Sequence, residues 1–276
     1  MTDPHSAFLV SSIAWQGVRH SDAISEVRAA GFGGVEILCK PGHFEHDNPE
    51  DISEVQAAVG DWPGGVVTFH APFYDVDLAS SDAGTRGGAV KESLKALDVA
   101  YTLCARNVTV HVRSNPGMRE WGAPNFEAFR GSLNELMQVA ADRSISLSVE
   151  NFPPPCFTAL EDDLLHLLED FPVRLVGACI DTGHAHLGGR VVQLAHALAS
   201  RASAIHLHDN NAQGRDEHLI PGMGTIPWQD VVRALETGGF RGHLVAEVMM
   251  VESLAKTLDT LKRAIMGTGL SRLGRS

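Results

Sequence analysis

The chain has 276 residues, 44% of them apolar and 20% charged, the balance of a globular protein with a large core. Its 22 basic residues against 34 acidic ones leave a net charge of -12. That disfavours nucleic acid and anionic membranes as partners, because the few cations do not cluster; the nearest groupings are Arg113 with Arg119 and Arg272 with Arg275. No run of ~18 apolar residues offers a membrane span. The N-terminal segment lacks the basic-then-apolar order of a signal peptide, so a cytoplasmic location is expected.

In chain order, short apolar runs at 8–13, 34–39, 65–71, 107–112, 144–150, 174–181, 204–208 and 243–248 read as strands. Longer patterns with helical spacing lie between or after them, at 21–30, 50–59, 83–105, 125–142, 160–169, 191–199, 228–237 and 252–265. Asn125 and Ser253 stand near helix starts, and Gly31, Gly238 and Gly239 follow helix ends. Eight βα units in a row predict an α/β protein with a parallel sheet, and eight is the number that closes a (β/α)8 barrel. No linker or charge block divides the chain, so residues 1–276 are expected to form one domain. A doubly wound open sheet is the alternative, but no G-x-G-x-x-G follows the first strand. Cys39, Cys104 and Cys179 sit in apolar runs and Cys156 apart from them; without a C-x-x-C pair they predict buried thiols rather than a disulfide frame.

In a barrel of this kind the site forms at the C-terminal ends of the strands. Those ends carry an unusual set of side chains. The second strand has Glu36, the third His70, the fourth His111, and the fifth Glu150 followed by Asn151. The sixth ends on Asp181, with a glycine turn leading to His184 and His186. The seventh carries His206, His208 and Asp209, its following loop adds Asp216 and His218, and the eighth carries Glu247. Every second strand residue faces the same side, so His70 shares its face with Thr68, His111 with Thr109, Glu150 with Ser148, and Asp181 with Cys179. Taken alone, segment 178–186 reads either as one wall of a metal site or as a strand end with an Asp helix cap and surface histidines. Taken with the other strands, the carboxylates and imidazoles would be costly to bury together unless a divalent cation neutralises them. A divalent metal is therefore expected, with Mn, Zn, Co and Mg all candidates.

The motifs HAPF, VEN, CIDTGHAH, HLHDN, D-x-H and PGMGTIPW, in this order, resemble the xylose-isomerase-like TIM barrel superfamily from about Phe8 to Ile265. That group holds sugar isomerases and epimerases and also the endonuclease IV family of abasic-site nucleases. The isomerase resemblance implies a metal on Glu150, Asp181, His206 and Glu247, with Glu150 and Glu247 also acting as acid and base, and His184 contacting substrate. The nuclease branch binds three zinc ions, and its pattern maps onto His70, His111, Glu150, Asp181, His184, His206, Asp216, His218 and Glu247. All nine positions carry a matching residue type. The segment HAPFYDVDLASSDAGTR resembles the sugar branch, and Phe73 and Tyr74 read as an aromatic lid over a small substrate rather than wedges for a base stack. Where relatives often have an acid between the glycines of the Gly222-Met223-Gly224 loop, this chain has Met223.

The expected function is a metal-dependent isomerase or epimerase of a sugar or sugar phosphate. The reaction proceeds by proton transfer through an enediolate, with Glu150 or Glu247 as general base. A small-molecule sugar is the expected partner, and association into a homo-oligomer is left open. His208 is expected either to hold a substrate hydroxyl or to hydrogen-bond a ligand from behind. The alternative function is a zinc phosphodiesterase on abasic DNA, in which His70, His111, Asp216 and His218 are ligands. A barrel that has lost catalysis is a third reading, disfavoured by the two glutamates. Glu36, Trp121 and the Pro153-Pro154-Pro155 run receive no catalytic role; the prolines would stiffen the loop beside Glu150.

Overall fold

A computed structural model describes residues 4–112, 123–154 and 156–275 of the chain. Eight parallel strands close on themselves in sequence order: β1 (Phe8–Ser11), β2 (Gly34–Leu38), β3 (Val66–His70), β4 (Asn107–Val110), β5 (Ser146–Glu150), β6 (Val176–Asp181), β7 (Ala202–Leu207) and β8 (His243–Ala246), with β8 pairing back to β1. The helices α1 (His20–Ala29), α2 (Pro49–Gly60), α3 (Ala83–Thr102), α4 (Ala123–Asp142), α5 (Glu161–Leu168), α6 (Thr182–Leu187), α7 (Val191–Leu198), α8 (Trp228–Gly238) and α9 (Leu254–Gly267) follow the strands. The chain is a single (β/α)8 barrel, as its alternating pattern predicts.

Local chemistry sets the helix ends. Asn48 accepts from the Glu50 backbone N–H ahead of a proline at the first helical position, Asp82 from Thr85, and Ser253 from Lys256. Gly239 ends α8 at φ +79°, a conformation glycine adopts without steric cost. On α9 the residues Leu254, Leu258, Leu261 and Ile265 are buried at helical spacing. Each such side chain contributes about 1.5–3 kcal/mol when removed from water. Along the strands the alternation splits the barrel into two layers. Val35 and Ile37, Val67 and Phe69, and Leu147 and Val149 join the apolar core shared with the helices. Several of the residues between them face the barrel axis and hydrogen-bond there. Ser148 donates to Asn107 Oδ1 (2.8 Å) and meets Ser203 Oγ at 2.7 Å, and Thr68 donates to Glu36 Oε2 (3.1 Å). Ser203 is skipped in the β6–β7 pairing, where Ala178 pairs with Ala202 but Cys179 with Ala204. This irregularity sets the register at the top, with Asp181 beside His206.

Several elements differ from the sequence pattern. Strand β5 starts at Ser146 rather than 144, because Ser144 has φ +58° and belongs to the turn after α4. Strand β7 begins at Ala202, two residues earlier than its apolar run. Helix α4 begins at Ala123, so Asn125 is no cap; its side chain donates instead to the Ala79 carbonyl (2.8 Å). Cys104 is exposed, in the left-handed turn after α3, whereas Cys39, Cys156 and Cys179 are buried; all four are free thiols. The expected glycine turn after Asp181 is a six-residue helix, α6. Arg272 pairs with Glu236. Arg113, Arg119, Trp121 and Pro155 lie outside the described residues. Among the described residues no helix is long and apolar enough to cross a membrane.

Candidate metal centre

Glu150 ends β5 at the centre of the barrel mouth, and its side chain is almost fully buried. Three imidazole nitrogens surround one of its oxygens: His111 Nε2 at 3.0 Å, His70 Nε2 at 3.3 Å and His206 Nδ1 at 3.3 Å from Oε2. The other oxygen lies 3.2 Å from His184 Nδ1. Beside it, Glu247 Oε2 stands 3.1 Å from His206 Nδ1. Neither ring nitrogen of His206 forms a hydrogen bond with these neighbours, although both are buried. Such convergence of lone pairs without pairing fits a cation better than a hydrogen-bond network. The groups His70–His111–Glu150, Glu150–Asp181–His184, His70–His206–Glu247 and His208–His218–Glu247 each place one donor atom per residue within 4.8 Å of the others.

The histidines are pre-set by backbone carbonyls. His70 Nδ1 lies 2.9 Å from the Ala71 carbonyl, His184 Nδ1 2.9 Å from that of Asn151, and His218 Nδ1 2.8 Å from that of Glu247. Each Nδ1–H therefore donates, and each Nε2 is presented inward. This is how a protein orients an imidazole towards an ion. For His184 and His218 the inward Nε2 meets the same carboxylate oxygen, Asp216 Oδ2, at 3.3 and 2.9 Å.

The motif CIDTGH interlocks with VEN and HLHDN. Asn151 clamps the Asp181 backbone, accepting from its N–H (2.7 Å) and donating to its carbonyl (3.1 Å). Asp181 Oδ1 accepts from the His184 backbone N–H (2.7 Å), capping α6. Asp181 is thus a helix cap and also sits in the cluster, and the expected surface position is not that of His184, which is buried. Thr182 Oγ1 donates towards the carbonyls of His206 (3.0 Å) and His208 (2.7 Å). A side chain at Gly183 would place its Cβ 2.0 Å from His208 Cε1, so only glycine admits that ring. Asp209 is buried behind the loop, accepting from the backbone of Asn210, Gly222 and Ile226 and from Trp228 Nε1 (2.8 Å). It organises the PGMGTIPW segment. Met223 is 52% exposed and adds nothing to the polarity of the centre.

Of the two roles expected of His208, the geometry matches the hydrogen bond from behind: the ring is fully buried, with Nε2 at 3.0 and 2.9 Å from the two carboxylate oxygens of Asp181. His186 points away, its Nε2 2.9 Å from Thr225 Oγ1. Glu36 is the residue the sequence left without a role. It is fully buried beneath His206, with Oε1 3.2 Å from His206 Nε2. It stands against the opposite ring edge from Glu150 and Glu247. The only signal was a carboxylate inside the apolar run GVEILC.

The electrostatics follow from burial and opposite charge. Burial pushes the Glu150 and Glu247 carboxyls up, but the imidazoles of His111 and His206 hold Glu150 well below the usual range, and His206 and His218 hold Glu247 down at about 2. Burial pushes His184 and His206 down, but the surrounding acids hold both well above the ordinary imidazole value. His218 is lifted to about 9 by Asp216 and Glu247 against its own burial. His111 is lowered, chiefly by burial.

Above the cluster lies a cavity of about 390 Å³. Glu150, Glu247, His184 and Asp216 line its floor, while Ile13, Leu38, Phe73, Tyr74, Phe152 and Met249 line its walls. Phe73 and Tyr74 stack at 4.4 Å, and Tyr74 is 46% exposed at the rim.

A buried His and carboxylate cluster, with donor atoms close enough together to hold a metal ion, lies beneath a small, aromatic-walled cavity at the C-terminal end of a (β/α)8 barrel, where barrels of this kind carry their sites. The chain belongs to the xylose isomerase-like TIM barrel family, whose profile matches residues 24–264. An uncharacterised protein of Mycobacterium tuberculosis is 34% identical over 239 residues, covering 79% of this chain and 80% of that one. Among solved structures, a D-tagatose 3-epimerase-like protein superposes with a TM-score of 0.81 at 24% identity, covering 96% of this chain and 99% of that chain. A D-psicose 3-epimerase, solved in the presence of D-fructose, gives 0.80 at 15% identity, covering 97% and 99%.

Proposed function

We propose that the protein is a metal-dependent sugar isomerase or epimerase that moves a proton on a carbon next to a carbonyl. The observation that carries this is the pair Glu150 and Glu247, both on the floor of a cavity too small for a macromolecule and both among the imidazoles. The donor set fits a divalent cation, and Glu150, Asp181, His206 and Glu247 would hold it, with His70, His111, His184, Asp216 and His218 available to a further ion or to substrate. Such a cation supplies Lewis-acid stabilisation of the oxyanion that develops when an adjacent C–H proton leaves.

The chain's own residues do the rest. Glu150 and Glu247 stay ionised near neutrality, because the imidazoles beside them hold both carboxyls low. An ionised carboxylate can accept a proton from carbon, and the other can return one. His184, fixed through Nδ1 to the Asn151 carbonyl, directs Nε2 at the cavity floor and can hydrogen-bond a substrate oxygen. Phe73, Tyr74, Phe152 and Met249 keep water from the exposed carbanion face.

The test is solvent deuterium incorporation. Protein loaded with Mn, Co, Zn or Mg is incubated in D₂O with a panel of ketoses and ketose phosphates. Deuterium should enter a carbon adjacent to the carbonyl, and Glu247→Gln should stop it. Absence of exchange across the whole panel, with every metal, would sink the reading.

One observation favours a second reading. The groups His70–His111–Glu150 and His184–Asp216–His218 flank the His206–Glu247 pair, room for more than one ion and the arrangement a phosphodiesterase needs. The net charge of -12 opposes a DNA substrate. Nicking of an abasic duplex at low salt would bring this reading forward, and its absence would remove it.

A further inference from the structure

A second constellation of reactive groups lies outside the metal centre. Cys39 follows β2 and is 3% exposed. Its Sγ lies 3.2 Å from His46 Nδ1, and His46 Nε2 lies 3.2 Å from Glu92 Oε2 on α3. The other Glu92 oxygen accepts from Lys95 Nζ at 2.8 Å. One tautomer satisfies the whole chain of contacts: Nε2–H donates to Glu92, and Nδ1 accepts from the thiol. That is the order nucleophile, base and orienting acid.

These groups line a separate cavity of about 220 Å³. Pro41, Phe44, Pro72 and Val76 form its apolar surface, and Glu45, Asp47 and Glu92 supply negative charge. Thiols that only fill space need no such relay. Buried Cys156, by contrast, has a hydroxyl, Thr158 Oγ1, at 3.3 Å from its sulfur.

We propose that Cys39, His46 and Glu92 form a nucleophilic thiol site, modified by small uncharged electrophiles of the hydroperoxide class. The Cys39 sulfur attacks the terminal oxygen of the hydroperoxide. The S–O bond forms as the O–O bond breaks. His46 takes the thiol proton at Nδ1 and passes it to the departing alkoxide or hydroxide, which leaves as alcohol or water. Sulfur is oxidised by two electrons to a sulfenic acid, and the peroxide is reduced. Glu92 holds the imidazole in the tautomer that can accept and carries its transient positive charge. The three carboxylates around the cavity exclude anions, and its apolar surface admits uncharged molecules. Burial and the same carboxylates push the Cys39 thiol up to about 12, so the resting form is the neutral thiol, and reaction depends on the base beside it.

The experiment measures alkylation rates at each cysteine of the intact protein by peptide mass spectrometry, with neutral iodoacetamide and anionic iodoacetate in parallel. Hydrogen peroxide with dimedone trapping follows. Because a base stands beside its sulfur, Cys39 should react about tenfold or more faster than the equally buried Cys156, and should prefer the neutral reagent by a larger ratio than exposed Cys104 does. Glu92→Gln, a change at a half-exposed position, and His46→Asn should each slow Cys39 by about tenfold or more. Dimedone should mark Cys39 in the parent and not in His46→Asn. The proposal is overturned if Cys39 reacts no faster than Cys156, or if Glu92→Gln leaves its rate and reagent preference unchanged.

Discussion

His70 Nε2 and His111 Nε2 face each other at 3.1 Å, across the strand pair β3–β4, with Glu150 Oε2 within 3.3 Å of both. His70 spends its Nδ1–H on the Ala71 carbonyl, so it brings a lone pair to that meeting. Two imidazoles and a carboxylate so placed need a proton or a cation between them. The proposed metal centre leads to several expectations.

Stripping metal with a chelator should lower the melting temperature, and adding back a divalent ion should restore it. At 100-fold excess over its Kd, an ion bound only to the folded state stabilises by about 2.7 kcal/mol. Glu150→Gln should weaken binding by at least about tenfold, since it removes the charge on which three imidazoles converge. Isothermal titration of the stripped protein measures both. A melting temperature indifferent to Zn, Mn, Co and Mg alike would count against the centre.

Metal uptake should release protons, and affinity should rise with pH. His218 is lifted to about 9 in the metal-free protein, so it is protonated at neutral pH and must lose that proton to ligate. His184 is also held well above its ordinary value and adds to the release. Titration in buffers of different ionisation enthalpy counts the protons. His218→Gln should reduce the count; an unchanged count would mean that His218 is not a ligand.

His208→Gln should weaken metal binding by about 10–100-fold without touching the cavity, because His208 orients Asp181 from behind. Gly183→Ala should act on the same contact, since its Cβ would lie 2.0 Å from the His208 ring. Binding unchanged in both variants would show that Asp181 needs no such support.

Asp209→Ala should be strongly destabilising, by about 3 kcal/mol or more, because several buried N–H donors lose their acceptor at once. Urea unfolding measures it. A loss under about 1 kcal/mol would mean that the loop re-pairs those donors elsewhere.

Acid should destabilise the protein partly through His43, away from the metal centre. Burial, then the charges of His20 and Lys40, lower His43 to about 4 from an ordinary 6.5. A depressed histidine is neutral in the fold and protonated in the unfolded chain between those values. Its contribution is present above about pH 6.5 and is lost as pH falls through about 4. His43→Gln should flatten the fall of stability over that window, read by thermal melts of parent and variant; parallel curves would refute it.

The barrel and the strand-end residues were legible in the sequence because they depend on local periodicity. Alternation along Ser146–Glu150 separates Ser148 and Glu150 from Leu147 and Val149, and no distant residue is needed to see it. Eight such units match the number that closes a barrel, and the structure closes them. The identity of the clustered side chains was therefore readable, from His70 to Glu247. Their orientation was not. The nitrogen that His184 offers is decided by the Asn151 carbonyl, and that of His218 by the Glu247 carbonyl, each from a different strand end. Glu36 is joined to His206 only when the barrel closes and its axis becomes too narrow to keep them apart. His208 and His206 look equivalent in the motif HLHDN, yet His206 places Nδ1 3.3 Å from Glu150 and 3.1 Å from Glu247, while His208 packs against Gly183 and places Nε2 on Asp181. Sequence sets which groups reach the mouth, since that follows from a period of two. Tertiary structure decides which lone pair each one presents, since that follows from carbonyls and carboxylates supplied by other strands.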